Sequence, residues 1–347
     1  MQHRFVQCIE GFDDVPSVSV IIATYNRANV LPKAIASVAG QSYQDFELLV
    51  VDDASRDNTE STLLALRSHF PSLAGRLRYL RLPRRAGANT ARNAGAARAT
   101  GRYLAFLDSD DIWHPTKLEK QMKAVLGMEA TRPAFCFTGR YRVDESYAVI
   151  AQQLPQATEL SSRIRRSNAV GTLSSVLVDA TLARSIGLFD ERLTAAQDWE
   201  FYIRVLPFCD VVGISEPLVM YFDGQRDRIT SGARERLKAH LRVYALHQKG
   251  LLTPRELADM YLVIAEDLAR TRHSRLAARF YARHLSLNGR WVRAARTCLA
   301  REAPNLREQR YRGYRAAERK RQSLATERCR YLEFLADFRP FIDFELG

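Results

Sequence analysis

The chain has 347 residues, 46% hydrophobic and 10% aromatic, enough for the cores of two domains and too apolar for a disordered polymer. Its net charge of +13 is uneven: residues 1–231 hold 27 basic and 26 acidic side chains, residues 232–347 hold 25 and 13. Five scattered cysteines signal neither zinc site nor disulfide framework, Met1 to Val15 lacks the apolar core of a signal peptide, and no run reaches the roughly 20 apolar residues of a membrane span, so a cytoplasmic protein is expected.

The first part alternates strand and helix patterns. Ser17 to Ala23 is a Val/Ile strand, and Val30 to Val38 has helical spacing. Phe46 to Val51 is a second apolar strand ending at Asp52-Asp53. Asp57 and Glu60 have capping-box spacing before the helix carrying Leu63, Leu64 and Leu66. Leu77 to Leu82 is a strand, Ala88 to Ala99 a small-residue helix, and Tyr103 to Leu107 a fourth strand. This order predicts a parallel sheet covered on both faces, with ligands beyond the carboxyl ends of the strands. Thr116 to Leu126 then reads as a helix. Ala134 to Val143 and Thr172 to Val178 read as strands, joined by a polar connection from Glu145 to Ser167. Ala180 to Ile186 and Ala195 to Leu206 are helices; Val211 to Ile214 and Leu218 to Phe222 are short strands. From about Gly232 the pattern is helical, with a capping box at Thr253 and Glu256, a cap at Ser274, a stop near Asn288-Gly289, a helix from Trp291 to Leu299 and an Arg-rich stretch from Arg301 to Arg330.

The fourth strand ends in Asp108-Ser109-Asp110-Asp111. Carboxylates so close repel one another, and a divalent cation with hard oxygen preference, Mg²⁺ or Mn²⁺, relieves that. The competing reading is a turn followed by a helix N-cap at Asp111. By themselves the residues leave both readings open.

Several segments together resemble family 2 glycosyltransferases of the GT-A fold. They are Val18 to Arg27, Phe46 to Ser55 with Asp57-Asn58-Thr59, Ala91 to Gly95, Phe106 to Asp111, Gly187 to Glu191, and Gln197 to Glu200 with Arg204. The likeness covers residues 17–231, six motifs in the family's order. It implies an α/β fold with a mostly parallel, Rossmann-like sheet. Residues 17–111 form its nucleotide-binding half and 112–231 its acceptor half, followed by an α-helical C-terminal addition over 232–347 and preceded by an extension over 1–16.

The resemblance also implies roles. Asp53 hydrogen-bonds the uracil or ribose of a nucleoside diphosphate sugar, a uridine diphosphate sugar being the expected donor. Thr24 and Tyr25 line the base pocket, although Tyr25 is equally readable as a core aromatic. Arg92 meets the base or a phosphate, or else is a solvated surface arginine; Asn93 orders local backbone. Asp110 ligates the metal, and Asp108 contacts the ribose or the metal. Asp198 is the general base of an inverting transfer, in a chain with Gln197 where a glutamate is common. Glu200 is the fallback base, Trp199 either stacks on an acceptor sugar or is buried, and Arg226 or Arg228 closes over the diphosphate, unless their loop is simply solvated. No Gln-x-x-Arg-Trp motif precedes Trp291, since Leu287 holds the Gln position, so a single addition is expected. The implied enzyme is a hexosyl- or N-acetylhexosaminyltransferase acting on a hydroxyl of a glycan or lipid-linked sugar in polysaccharide or lipopolysaccharide biosynthesis.

Two rivals are distinguishable. A nucleotidyltransferase would need a Gly-rich basic loop after the first strand, which Ala23 to Arg27 lacks. A non-catalytic scaffold would not need Asp53, Asp110 and Asp198 together. For residues 232–347 three readings compete: helices packed on the catalytic domain or a second copy, attachment to an anionic membrane surface, and, least, nucleic-acid binding.

Overall fold

The computed structural model describes residues 16–165, 167–222, 233–247 and 253–288. In chain order the elements are β1 (Val18–Thr24), α1 (Leu31–Ala39), β2 (Phe46–Asp52), α2 (Thr59–His69), β3 (Leu77–Arg81), α3 (Ala88–Ala96), β4 (Tyr103–Asp108), β5 (Ile112–Trp113), α4 (Lys117–Leu126), β6 (Ala134–Val143), β7 (Val149–Gln153), α5 (Leu160–Arg163), β8 (Val176–Asp179), α6 (Ala180–Ser185), α7 (Gln197–Val205), β9 (Asp210–Phe222), α8 (Ala233–His247), α9 (Pro254–Arg270) and α10 (Ser274–Asn288).

The strands lie in the order β3-β2-β1-β4-β8-β6-β9-β5, with β7 paired to β6. Strands β1 to β4 are parallel, as their continuous apolar runs predict. Alternation along them serves two cores. Ile21, Leu49, Val51 and Phe106 pack on the face covered by α3, α6 and α7, whereas Val20, Ile22, Leu48 and Val50 meet α1, α2 and α4 on the other. Beyond β4 the sheet is mixed: β8 runs antiparallel to β4 and β6, and β6 runs parallel to β9.

This geometry places the site. Thr24 pairs with Asp52, and Ala23 with Asp108, so the ends of three neighbouring strands bring the acidic clusters to one sheet edge.

Five local expectations are corrected. Asp57 and Glu60 form no capping box: Asn58 is the N-cap of α2, Asp57 accepts from Ala28 N–H and Thr59, and Glu60 pairs with Arg81. The strands expected at 211–214 and 218–222 are one strand, β9, whose register shifts opposite Thr138 to Arg140. The polar connection contains β7 and α5, and the strand expected from Thr172 opens as a 3₁₀ turn over Leu173–Ser175. Asp111 caps no helix; it is buried, taking hydrogen bonds from Ser174 Oγ (2.6 Å) and Phe222 N–H (3.4 Å), while α4 begins after Thr116.

Among the helices, α8 packs on the sheet domain through buried Leu237 and Val243, and Arg242 pairs with Asp190 at 3.1 Å. The Thr253–Glu256 capping box is formed at the start of α9, and α10 ends at Asn288. No helix among the described residues is long and apolar enough to cross a membrane. The N-terminal extension over residues 1–15, the loop Asp223 to Ser231 with Arg226 and Arg228, the helix expected from Trp291 and the Arg-rich stretch lie outside the described residues.

Candidate active site

The ends of β1, β2 and β4, the start of α7, Asn168, residues 171–173, β6 and β9 line one cleft of about 1240 Å³. Thr24, Tyr25, Asp53, Arg92, Asp108, Asp110 and Asp198, separated by up to 174 positions, all reach it.

Asp52 and Asp53 divide their tasks. Asp52 is buried and structural, accepting from Ser55 N–H and the Tyr79 hydroxyl, each at 2.8 Å. Asp53 accepts from the N–H groups of Ala86 (2.6 Å) and Gly87 (2.8 Å). It thereby holds the segment entering α3, where Gly87 sits at φ +99°, a conformation that favours glycine. A carboxylate has about four lone-pair sites, so Asp53 keeps acceptor capacity for a ligand. Asp53→Asn is expected to weaken binding of uridine diphosphate by about 1.5–3 kcal/mol, because the amide presents a donor where two backbone donors already point. Calorimetry without metal measures it; unchanged affinity would leave Asp53 a purely structural clamp.

Tyr25 is no core aromatic. It is half-buried at the rim, and the Arg85 guanidinium lies 4.1 Å from its ring centroid. Thr24 Oγ1 is buried with no hydrogen-bond partner among the described residues. Arg92 is not a solvated surface arginine, since it donates to Asp108 at 2.7 Å. Asp110 pairs with Arg27 at 3.4 Å. Each carboxylate of the acidic run therefore has a specific partner: Arg92 for Asp108, Arg27 for Asp110, Ser174 for Asp111. Asn93 orders backbone, donating to Phe189 O (2.9 Å) and accepting from Phe189 N–H (3.0 Å).

Asp198 stands in the first turn of α7, where Ala196 enters at φ +53°. Its carboxylate accepts from Trp199 N–H (2.8 Å) and from Asn168 Nδ2 (2.7 Å). Burial raises its pKa above the ordinary carboxylate value, helped by the charge of Asp108, while the Trp199 N–H and Asn168 contacts oppose the rise. A carboxylate facing a cleft and biased towards its protonated form is suited to take a proton.

The neighbours of Asp198 do different work. Trp199 stacks on no acceptor: it is 3% exposed, donates to Ile164 O, and packs edge-on against His240. Glu200 does not reach the cleft either; it is 2% exposed and grips Arg204 at 2.6 Å through both oxygens. Successive helical residues diverge by about 100°, so of the two carboxylates of this turn Asp198 lines the cleft and Glu200 turns into the core. Arg204 also donates to the carbonyls of Ile186 and Leu188, which ties the segment 186–191 to α7. Glu200→Gln is expected to lower stability by about 2–3 kcal/mol while leaving nucleotide affinity unchanged, as it strands a held guanidinium. Chemical denaturation with a nucleotide titration measures both; lost affinity at full stability would restore Glu200 to the site.

Arg27, Arg85, Arg140, Arg142, Asn168 and Tyr221 also line the cleft. The alternation of Arg140 and Arg142 along a strand was a readable signal for one shared face. Asn168 carried none, because it lies in the aperiodic connection.

A sequence profile of the family described as "Glycosyl transferase family 2" matches residues 19–183. The chain is 31% identical over 189 residues to the UDP-Glc:alpha-D-GlcNAc-diphosphoundecaprenol beta-1,3-glucosyltransferase WfgD of Escherichia coli, covering 54% of this chain and 69% of WfgD. It is 38% identical over 137 residues to the putative teichuronic acid biosynthesis glycosyltransferase TuaG of Bacillus subtilis, covering 40% of this chain and 49% of TuaG. With other curated relatives the chain spans 27% to 63% of their length. The mannosyltransferase PcManGT from Pyrobaculum calidifontis, solved with GDP-Man and Mn²⁺, superposes with a TM-score of 0.55 at 20% identity, covering 88% of this chain and 86% of that one. That likeness is one of fold.

Proposed function

The chain belongs to glycosyl transferase family 2 and has the GT-A fold, and from that premise we propose that it moves a single sugar from a nucleoside diphosphate donor to a hydroxyl of a glycan or lipid-linked acceptor, with inversion. The observation that carries this reading is the cleft itself, which gathers the strand-end carboxylates together with Asp198, a carboxylate biased towards taking a proton. WfgD is named for a uridine diphosphate sugar and a lipid-linked acceptor, which supports both substrate classes here.

In the proposed reaction the acceptor oxygen attacks the anomeric carbon on the face opposite the diphosphate. The hydroxyl proton passes to the Asp198 carboxylate as the new C–O bond forms. The bond to the diphosphate oxygen breaks with its electron pair, and the nucleoside diphosphate leaves. Asn168 holds the base in place, and Asp53, Thr24 and Tyr25 bind the nucleoside. The hard oxygens of Asp110 and Asp108 fit Mg²⁺ or Mn²⁺, which take one or two carboxylates and complete their shell with phosphate and water. When bound, such a cation stabilises charge on the departing diphosphate. Arg27 and Arg92 orient these carboxylates through their ion pairs.

A thermal-shift series of nucleoside diphosphate sugars, with and without Mn²⁺, tests donor binding, because a ligand that binds the native state raises its stability. Assay of acceptor-dependent nucleoside diphosphate release tests transfer. Pyrophosphate release instead would favour a nucleotidyltransferase, and absence of turnover with every bound donor would favour a scaffold.

A further inference from the structure

We propose that Arg140 is a subsite for a phosphate group carried by the acceptor. The inference rests on the glycosyl-transfer reading above and specifies the acceptor as anionic. Arg140 projects from β6 into the cleft. Its Nη1 donates to Val170 O at 3.1 Å, and its Nε is buried without a hydrogen-bond partner among the described residues. The Tyr221 ring lies 5.8 Å from the guanidinium. Backbone is shaped to admit the group: Gly171 sits at φ +101°, and a Cβ there would come within 1.4 Å of Nη1.

Burial and charge together set Arg140 apart from Arg27, Arg92 and Arg85, the last of which is exposed and lies over the Tyr25 ring. Arg27 is matched by Asp110 and Arg92 by Asp108, but Arg140 has no ion pair among the described residues. Burial disfavours its charged form, Tyr221, Tyr202 and Asp198 favour it, and Arg142 opposes it. A buried guanidinium with an unused donor is completed by an oxyanion, which it binds through its planar fork. Position assigns the owner of that oxyanion. Asn168 donates from one amide to both Asp198 (2.7 Å) and Gly171 O (3.1 Å), so a single loop joins the proposed base to the Arg140 cradle. Asp53, Asp108 and Asp110 stand at the strand ends, the proposed place of the donor, and in the same loop Thr172 lies 3.5 Å from Asp108, so the two places adjoin. A phosphate at Arg140 therefore arrives with the molecule whose hydroxyl meets Asp198.

The test is calorimetric titration of inorganic phosphate into the full chain saturated with uridine diphosphate, which fills the donor side. Phosphate is expected to bind the wild type in the presence of the nucleotide. Arg140→Gln is expected to weaken phosphate at least about tenfold without changing nucleotide affinity, and Arg140→Lys, which keeps charge but not the fork, to fall between. If Arg140→Gln does not fold, Arg140→Lys carries the comparison. Equal phosphate binding by the variants would overturn the proposal. So would exclusion of phosphate by the nucleotide together with weaker nucleotide binding by Arg140→Gln, which would give Arg140 to the donor. If the wild type binds no nucleotide, the transfer reading falls, and titration of phosphate alone still reports whether Arg140 holds it.

Discussion

Asp198→Asn is expected to keep the fold and donor affinity and to lose acceptor-dependent turnover by about 10²–10⁴-fold, the usual contribution of a general base. The amide oxygen can still accept the Trp199 N–H bond, so α7 should start in the same place, although the amide nitrogen then faces the Asn168 donor and that contact is lost. It cannot take a hydroxyl proton. Stability gives a second readout whose sign follows from the raised pKa of Asp198. A group with a raised folded-state pKa favours the native state below its unfolded pKa, and that contribution is lost as pH climbs through the folded value. At neutral pH the buried charge is thus a cost that the neutral amide removes, and loss of the Asn168 contact offsets that gain, so the Tm should change little. Wild-type kcat/KM should rise with pH along an acid limb lying above the ordinary carboxylate value. Turnover of Asp198→Asn within a few-fold of wild type, with a working donor and acceptor, would remove Asp198 from the mechanism.

Asp110→Ala differs in kind. It removes a proposed cation ligand and leaves Arg27 without this partner at the cleft. We expect loss of Mn²⁺-dependent stabilisation by nucleotide and loss of transfer, on the order of several kcal/mol in the barrier. Because Asp110 lies beyond β4 in a partly open position, Tm without ligand should change little. Direct titration of Mn²⁺ in the presence of uridine diphosphate separates the two carboxylates: Asp198→Asn should bind the metal complex as wild type does, and Asp110→Ala should not. Near-normal, metal-independent turnover by Asp110→Ala would end the cation assignment.

Some of this was legible because it is written locally. Continuous apolar runs such as Phe46 to Val51 specify strands buried on both faces, and the carboxylates that follow them are placed at strand ends by the same local code. Thr253 and Glu256 cap α9 because their reach spans only three residues. Asp57 and Glu60 have the same spacing and failed as a cap, because Ala28 and Arg81, far away in sequence, offered both carboxylates other partners.

The chain by itself determined the parallel half of the sheet, the six motifs and the acidic residues that gather at the cleft, because period and motif order depend on neighbours in sequence. Tertiary structure alone decided which of those residues are free to act. Trp199 and Glu200 are motif residues like Asp198, yet helical rotation sends them into the core. Arg140 and Asn168 carry no motif and face the cleft because β6 and the loop before β8 fold against α7. Pairing of charges across dozens of residues is set by packing in three dimensions, and no local pattern encodes it.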